Sequence, residues 1–138
     1  MKATDVANFW PLVRQTILLS FPPGVPKNEQ TLANMQQALL SERAQAWALL
    51  EGQEILSILT TVVNRDSISG SNSLFIYSLG ALREVPLAAW EEGVKTLRFA
   101  CKLAGCTHIL ARTNNSRLLE LLTRFNMKTD VRMIELEV

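Results

Sequence analysis

The hydrophobic positions at the start of the chain recur at helical spacing. Val6, Trp10 and Val13 fall on one face of a helix, so residues 4–20 are predicted to be helical. Pro11 lacks the amide hydrogen that a helix interior requires. The segment is therefore expected either to kink at Pro11 or to begin as a helix near Trp10.

The middle of the chain changes from helical spacing to the apolar, β-branched runs that are typical of strands. The predicted elements are a helix at 29–41 capped by Asn28, followed by strands at 44–50, 55–63 and 74–82. Gly52 lies in the turn between the first two strands. The polar stretch 64–73 gives the longest loop signal and separates the second strand from the third.

The segment 86–104 is the clearest helix of the chain. Its apolar residues from Trp90 to Cys101 share one stripe, and Gly105 follows as a C-terminal stop. Replacement of the stripe's central residue, Leu97, by alanine is expected to be costly, because the stripe should face a sheet.

Strands and helices alternate to the end of the chain. The remaining predicted elements are a strand at 108–112, a helix capped by Asn115 or Ser116, and a strand at 131–138. A strand–helix–strand connection requires a crossover, so the strands at 74–82 and 108–112 should be parallel neighbours that diverge at one end. The prediction is one α/β (α+β) domain over 1–138, with a mixed sheet flanked by helices.

Composition and charge exclude several classes of protein. The 138 residues are 48% hydrophobic and 20% charged, which is enough to fill a core. The formal net charge of +1 gives no excess of basic residues for a phosphate backbone, so a nucleic-acid partner is not expected. The chain shows no signal peptide and no apolar run of membrane-spanning length, so a cytoplasmic protein without membrane association is expected. A component of a virus particle would have the same features.

The two cysteines are more typical of packing residues than of a disulfide scaffold or a metal site. Cys101 and Cys106 are too few for a disulfide scaffold, and His108 is the single histidine of the sequence. A four-ligand zinc site is therefore not predicted, and no metal is assigned.

The region 74–128 carries a more specific pattern. A strand leads through a loop into a long helix that ends in Ala104-Gly105-Cys106, and a short strand, Thr113-Asn114-Asn115 and an aliphatic helix ending in Arg124-Phe125-Asn126-Met127 follow. This order resembles the GNAT superfamily of acyl-CoA N-acyltransferases, whose helices commonly end in Lys-Gly-Cys and Leu-Gly-Phe. The family's usual first strand is missing here or reduced to residues 1–3.

The resemblance implies an acetyl-CoA site between the central strand and the helix that follows it. The cofactor-binding positions that it implies are Leu79, Gly80, Ala81, Arg83, Ala88, Ala89 and Asn115. A helix start offers free amides to a pyrophosphate. Gly80 within a strand indicates a bulge or a close backbone approach, and its simpler explanation is the end of the strand. Asn115 has a simpler explanation as a helix N-cap.

The phosphate motif and the proton-donor position both depart from the family's pattern. The phosphate motif R/Q-x-x-G-x-G/A is replaced by a stretch with Val85, Ala88 and Trp90 at its three defining positions, and Pro86 lacks an amide donor. Arg83 is the nearest cation that could compensate. Leu122 occupies the position of the tyrosine that protonates the leaving thiolate in many family members.

A general base is equally hard to find. The strand 74–82 contains no carboxylate, and its titratable group is Tyr77, which is typical of a packing residue. Glu84 at the end of that strand and His108 are further possible bases, but neither is supported by a motif. No catalytic residue is therefore assigned.

Three hypotheses follow. The first is a GNAT-fold protein with a degraded acetyl-CoA site that acts as a non-catalytic binding or structural subunit, with a protein partner or a second copy of itself and no cofactor. The second is an active acetyl-CoA-dependent N-acyltransferase with an atypical pyrophosphate loop. The third is an unrelated α/β module with the same element order. Small divergent GNAT-like proteins also occur in bacteriophages, so the resemblance allows a phage-type member.

Overall fold

The protein is described by a computed structural model that covers residues 1–113, 115–129, 134, 136 and 138. These residues form five helices and four strands. In chain order they are α1 (Ala3–Asn8), α2 (Trp10–Leu19), α3 (Glu29–Leu40), β1 (Ala44–Glu51), β2 (Glu54–Arg65), β3 (Asn72–Ala81), α4 (Leu87–Leu103), β4 (Cys106–Ala111) and α5 (Ser116–Arg124).

The four strands form one mixed sheet in the order β1-β2-β3-β4. β1 and β3 both pair antiparallel with β2. α4 connects β3 to β4, and this crossover makes the pair parallel, from Asn72↔Cys106 to Ile76↔Ala111. The predicted mixed sheet and its parallel pair are confirmed.

Helices cover both faces of the sheet. The first three helices pack on one face, in a core where Val13, Ile17 and Ile58 are at most 1% exposed. α4 packs on the other face and buries Leu97 and Cys101 in a second cluster. Burial of one such aliphatic side chain stabilises the fold by about 1.5–3 kcal/mol. The stripe predicted for this helix therefore faces the sheet.

The predicted helix at 4–20 is two helices in the structure. α1 ends at Asn8, and Phe9 separates it from α2. Pro11 lies in the first turn of α2, where an amide hydrogen has no acceptor within the helix and its loss costs little. The alternative of a helix beginning near Trp10 is confirmed, and a continuous kinked helix is wrong.

The predicted loop at 64–73 is too long. β2 continues to Arg65 and β3 starts at Asn72, and these two residues pair with each other. The remaining turn is held by Asp66, whose carboxylate accepts a hydrogen bond from the amide of Ile68 at 2.9 Å. Polar residues at the ends of exposed strands gave the same signal as a loop.

The family's usual first strand and the predicted last strand would lie at the two ends of the chain. Ahead of α1 the described residues contain no strand, and the nitrogen of Met1 donates to the carbonyl of Ala46 in β1 at 2.8 Å. The predicted last strand, 131–138, lies for the most part outside the described residues. Within the described residues, no helix combines the length and the apolar character needed to cross a membrane.

Candidate functional site

The hydrogen-bonded pairing of β3 with β4 ends just before Tyr77. Their pairing ends at Ile76↔Ala111, whereas β3 continues as far as Ala81. The register of β3 against β2 shifts between Ile76 and Ser78, so Tyr77 is the extra residue of a β-bulge. The two parallel strands therefore diverge at one end, as predicted.

Gly80 is a point of close contact between β3 and α2. A Cβ atom at this position would lie 2.5 Å from the main-chain oxygen of Thr16 and 2.8 Å from its Cα. No larger residue fits unless the helix moves. Of the explanations that the sequence allowed for Gly80, close backbone approach is confirmed. The bulge lies earlier in the strand, at Tyr77, and β3 ends one residue after Gly80, at Ala81.

The gap between the parted strands opens into a cavity of about 250 Å³, which we call the outer cleft. The loop after α2, the second half of β3, the residues after β4 and the start of α5 line it. Lys27 and Arg112 are its charged lining residues. No aspartate, glutamate, histidine or cysteine belongs to its described lining.

Tyr77 is the titratable hydroxyl of the outer cleft. Its ring is half-buried and meets the ring of Phe75 edge-on, with centroids 6.3 Å apart. The guanidinium of Arg112 lies 5.5 Å from the centroid of the Phe75 ring. Burial raises the pKa of the Tyr77 phenol, and the positive charge of Arg112 partly opposes the rise. At neutral pH this residue is therefore a neutral hydrogen-bond donor.

The side chain of Ser78 forms a hydrogen bond within the sheet. Its hydroxyl forms a hydrogen bond of 2.6 Å with the hydroxyl of Thr60, and both side chains are buried. A serine nucleophile needs a base within hydrogen-bond reach. Because the described cleft lining holds no imidazole or carboxylate, Ser78 stabilises the pairing of β2 with β3 and has no activating partner.

The start of α4 has little capacity for phosphate. Pro86 is its N-cap and makes no side-chain capping bond. The amides of Ala89 and Trp90 both donate to the carbonyl of Pro86, at 3.0 and 3.2 Å. Leu87 and Ala88 are left as the amides of the first turn that have no main-chain acceptor in the described structure. The exposed Ala88 and the half-buried Ala89 thus lie at a helix start that offers two donors.

Arg83 is directed to a neighbouring acid. Its guanidinium lies 3.6 Å from the carboxylate of Glu54, and both side chains are 61% exposed. The main-chain amides of Leu82 and Arg83 donate to the carbonyl of Leu56 at 2.8 and 3.3 Å. Arg83, the nearest cation to Val85, therefore already has an acidic neighbour, although solvent weakens an ion pair as exposed as this one.

The other implied cofactor positions are spread along the second half of β3. Leu79 lines the outer cleft, and Ala81 is exposed at the end of the strand. The carbonyl of Gly80 accepts a hydrogen bond from the hydroxyl of Ser57 at 2.8 Å. The structure thus brings Leu79 and Asn115 together at the outer cleft, whereas Arg83, Ala88 and Ala89 are not part of its lining.

Asn115 acts as a helix cap at the edge of the outer cleft. Its side-chain oxygen accepts hydrogen bonds from the amides of Arg117 and Leu118 at 3.0 and 3.2 Å. These bonds satisfy two donors at the start of α5.

Asn115→Ala should lower the free energy of unfolding by about 1 kcal/mol, because it removes the cap. Urea denaturation followed by circular dichroism measures the loss. Asn115→Ser retains a capping oxygen and should stay close to the parent. Equal destabilisation by both substitutions would contradict the capping role.

Leu122 separates the outer cleft from a second cavity. This inner cavity of about 160 Å³ lies among α4, α5 and the sheet, and its walls are largely apolar. Trp47 and Trp90 are two of its lining residues. Trp90, which belongs to the first turns of α4, therefore lies in the wall of this inner cavity.

The other titratable residues considered from the sequence lie outside the described lining of the outer cleft. Cys101 and Cys106 are buried free thiols, and burial raises the pKa of Cys101, with a further rise from the adjacent Cys106. His108 is exposed and shares a hydrogen bond of 2.8 Å with Thr107, and Glu84 is exposed. The described ranges contain no group of three or more histidine, cysteine, aspartate or glutamate residues that could hold a metal ion.

Comparison with solved structures finds this architecture among acetyltransferases. A chain described as a probable acetyltransferase has a TM-score of 0.75 at 10% identity, over 100% of this chain and 95% of that chain. AAC(6')-Iy in complex with the bisubstrate analogue CoA-S-monomethyl-acetylneamine has a TM-score of 0.72 at 14% identity, over 100% and 94%. Ribosomal-protein-alanine N-acetyltransferase from Brucella melitensis biovar Abortus 2308 has 0.69 at 10% identity, over 100% and 96%.

These likenesses show that the chain has the fold of the GNAT acetyltransferases. At sequence identities of 10–14%, the likeness shows a shared fold and does not show a shared function. No family model matches the chain, and no curated protein matches its sequence.

Two basic residues of the outer cleft, Lys27 and Arg112, were not predicted from the sequence. Lys27 lies in the loop after α2, far in sequence from the family pattern, and Arg112 lies just beyond β4. No local motif marks either residue. The one usable signal was the divergence of the parallel strands, which predicts that the segments flanking it will face each other.

Proposed function

We propose that this GNAT-fold chain has a degraded acetyl-CoA site and acts as a non-catalytic binding or structural subunit. The observation that carries the proposal is the chemistry of the outer cleft. Its described lining contains two cations and neutral side chains, and it contains no carboxylate or imidazole. A site of this kind can hold a ligand but has no group suited to accept a proton at neutral pH.

Acetyl transfer to an amine makes demands that the cleft does not meet. The amine must lose its extra proton before its nitrogen attacks the thioester carbon, and the carbon–sulfur bond then breaks to release a thiolate. Leu122, at the position of the family's proton donor, cannot protonate that thiolate. Lys27 and Arg112 also disfavour the approach of a protonated amine, because like charges repel each other.

The turn before α4, outside the lining of the outer cleft, is poorly suited to bind phosphate. The family pattern uses a cation or an amide side chain and two small residues at the turn before the helix, and this chain has Val85 and Trp90 at two of those positions. The first turn of α4 offers the amides of Leu87 and Ala88, and the positive charge of Arg83 is paired with Glu54. These features support weak binding of the CoA pyrophosphate or none.

One observation favours the alternative of an active N-acyltransferase. Tyr77 presents a protonated hydroxyl beside the point where the strands diverge, so it could in principle protonate the leaving thiolate. However, burial that raises the pKa of a phenol makes it a weaker acid, and the transfer of its proton becomes less favourable. This residue is better suited to donate a hydrogen bond than a proton.

The proposal extends to the partner. Phe99 and Leu103 are 65% and 74% exposed on the outer side of α4, and apolar side chains of this kind suit a contact with a protein partner or a second copy of the chain. The cytoplasm, or a virus particle if the chain is phage-encoded, remains the proposed location.

A thiol-release assay tests the proposal. Acetyl-CoA and a panel of primary amines, including an aminoglycoside and peptides with free N-termini, should give no release above the rate without protein. If release does occur and Tyr77→Phe abolishes it, the active-enzyme alternative is correct. Release that persists in Tyr77→Phe would equally contradict the proposal and would locate the acid elsewhere.

A further inference from the structure

The outer cleft and the inner cavity share a wall. Four residues line both of them: Ile76 and Leu79 from β3, and Leu118 and Leu122 from α5. Each shared residue is aliphatic. A molecule that occupied both spaces would therefore pass between β3 and α5 through an apolar constriction.

The apolar residues on the α5 side of this wall are partly exposed. None of the residues of α5 is fully buried, although Leu118, Leu119, Leu121 and Leu122 are all half-buried on the helix. A helix whose apolar residues remain partly exposed lacks part of the stabilisation that full burial would give it. An apolar ligand beneath this face would supply the missing contacts.

The two cavities differ in chemical character. Lys27, Arg112 and the hydroxyl of Tyr77 belong to the outer cleft, and no acidic side chain belongs to its described lining. The inner cavity is walled mostly by aliphatic and aromatic side chains, including Trp47 and Trp90. Its polar lining residues are Ser57, Glu92 and Thr96. An anionic group suits the first space, and a hydrocarbon suits the second.

We propose that the two cavities form one site for a small amphiphilic carboxylate, with its carboxylate in the outer cleft and its alkyl chain in the inner cavity. The inner volume of about 160 Å³ suits a short chain, since an apolar protein cavity of about 150 Å³ is enough to bind benzene. This inference rests on the proposed function, because it takes the cleft as a binding site rather than a catalytic one.

The length of the ligand's alkyl chain provides the first test. Isothermal titration with acetate, butyrate, hexanoate and octanoate should show affinity rising by roughly fourfold per methylene until the inner cavity is full. Octanoate should also change the tryptophan fluorescence, because Trp47 and Trp90 line that cavity. No dependence on chain length, or octanoate binding without a fluorescence change, would overturn the proposal.

Head-group charge provides the second test. Lys27→Glu should weaken octanoate binding by about fivefold, the order expected when one exposed charge is reversed. Lys102→Glu is the matched control, since Lys102 is exposed on α4 and is not among the lining residues of either cavity. Octylamine, with the opposite head-group charge, should bind more weakly than octanoate. Equal effects of the two substitutions, or equal binding of the two ligands, would contradict the proposal.

The shared wall provides the third test. Leu122→Trp should abolish octanoate binding by filling the constriction, whereas Leu119→Trp on the same helix should not, because Leu119 lines neither cavity. Circular dichroism shows whether both variants fold. Octanoate binding that survives in folded Leu122→Trp would overturn the shared site.

The outcome is separable from that of the proposed function. Failure of octanoate to bind, together with no thiol release from acetyl-CoA, would reject this inference and leave the non-catalytic proposal intact. Thiol release from acetyl-CoA would reject the non-catalytic proposal whatever the carboxylates do.

Discussion

Leu97→Ala should lower the free energy of unfolding by about 2–5 kcal/mol. Leu97 is 6% exposed and belongs to the cluster that joins α4 to the sheet. Truncation removes buried hydrocarbon and leaves a cavity that the surrounding side chains fill incompletely. Urea denaturation followed by fluorescence measures the effect.

The same helix provides a matched control for Leu97→Ala. Leu103 is 74% exposed, so Leu103→Ala should change stability by no more than about 0.5 kcal/mol. If the two alanine variants were equally stable, the orientation of α4 on the sheet would be wrong. The alignment that assigns Val85 and Trp90 to the phosphate motif would then be wrong as well, because it depends on the same helix.

Gly80→Ala should destabilise the protein by about 3 kcal/mol, the upper end of the usual range for overpacking. The new Cβ would lie 2.5 Å from the main-chain oxygen of Thr16, and main-chain atoms cannot rotate away as a flexible side chain can. Either α2 shifts outward or β3 bends. Thermal unfolding monitored by circular dichroism measures the loss.

Gly93→Ala is the control for Gly80→Ala. A Cβ at Gly93 would meet Cδ1 of Leu49 at 3.5 Å, an ordinary contact, and the residue lies within α4. Alanine in a helix interior is favoured over glycine by about 1 kcal/mol, so this variant should be more stable than the parent. If Gly80→Ala were as stable as Gly93→Ala, the close approach of α2 to β3 would be contradicted.

The sequence predicted the fold well where the periodicity was strong. The stripe from Trp90 to Cys101 fixed the orientation of α4, and the order strand, helix, strand fixed the parallel pair. Boundaries were less accurate. The loop predicted at 64–73 was too long because polar residues also occupy the exposed ends of paired strands.

The candidate site was predicted in part. The divergence of the strands and the capping role of Asn115 followed from the sequence, whereas the bulge at Tyr77 did not, because no local residue pattern requires it. The approach of Lys27 depends on how the loop after α2 folds over the sheet. Contacts between residues that are distant in sequence cannot be predicted from local periodicity.

Calorimetric titration with acetyl-CoA tests the central claim most directly. The proposal is that this GNAT fold does not support the chemistry of an acetyl-CoA enzyme. It rests on the resemblance, which aligns Val85 and Trp90 with the pyrophosphate motif and Leu122 with the residue that protonates the thiolate. We predict no measurable heat of binding, or binding too weak to saturate. A dissociation constant in the low micromolar range that is lost in Arg83→Ala would contradict the account.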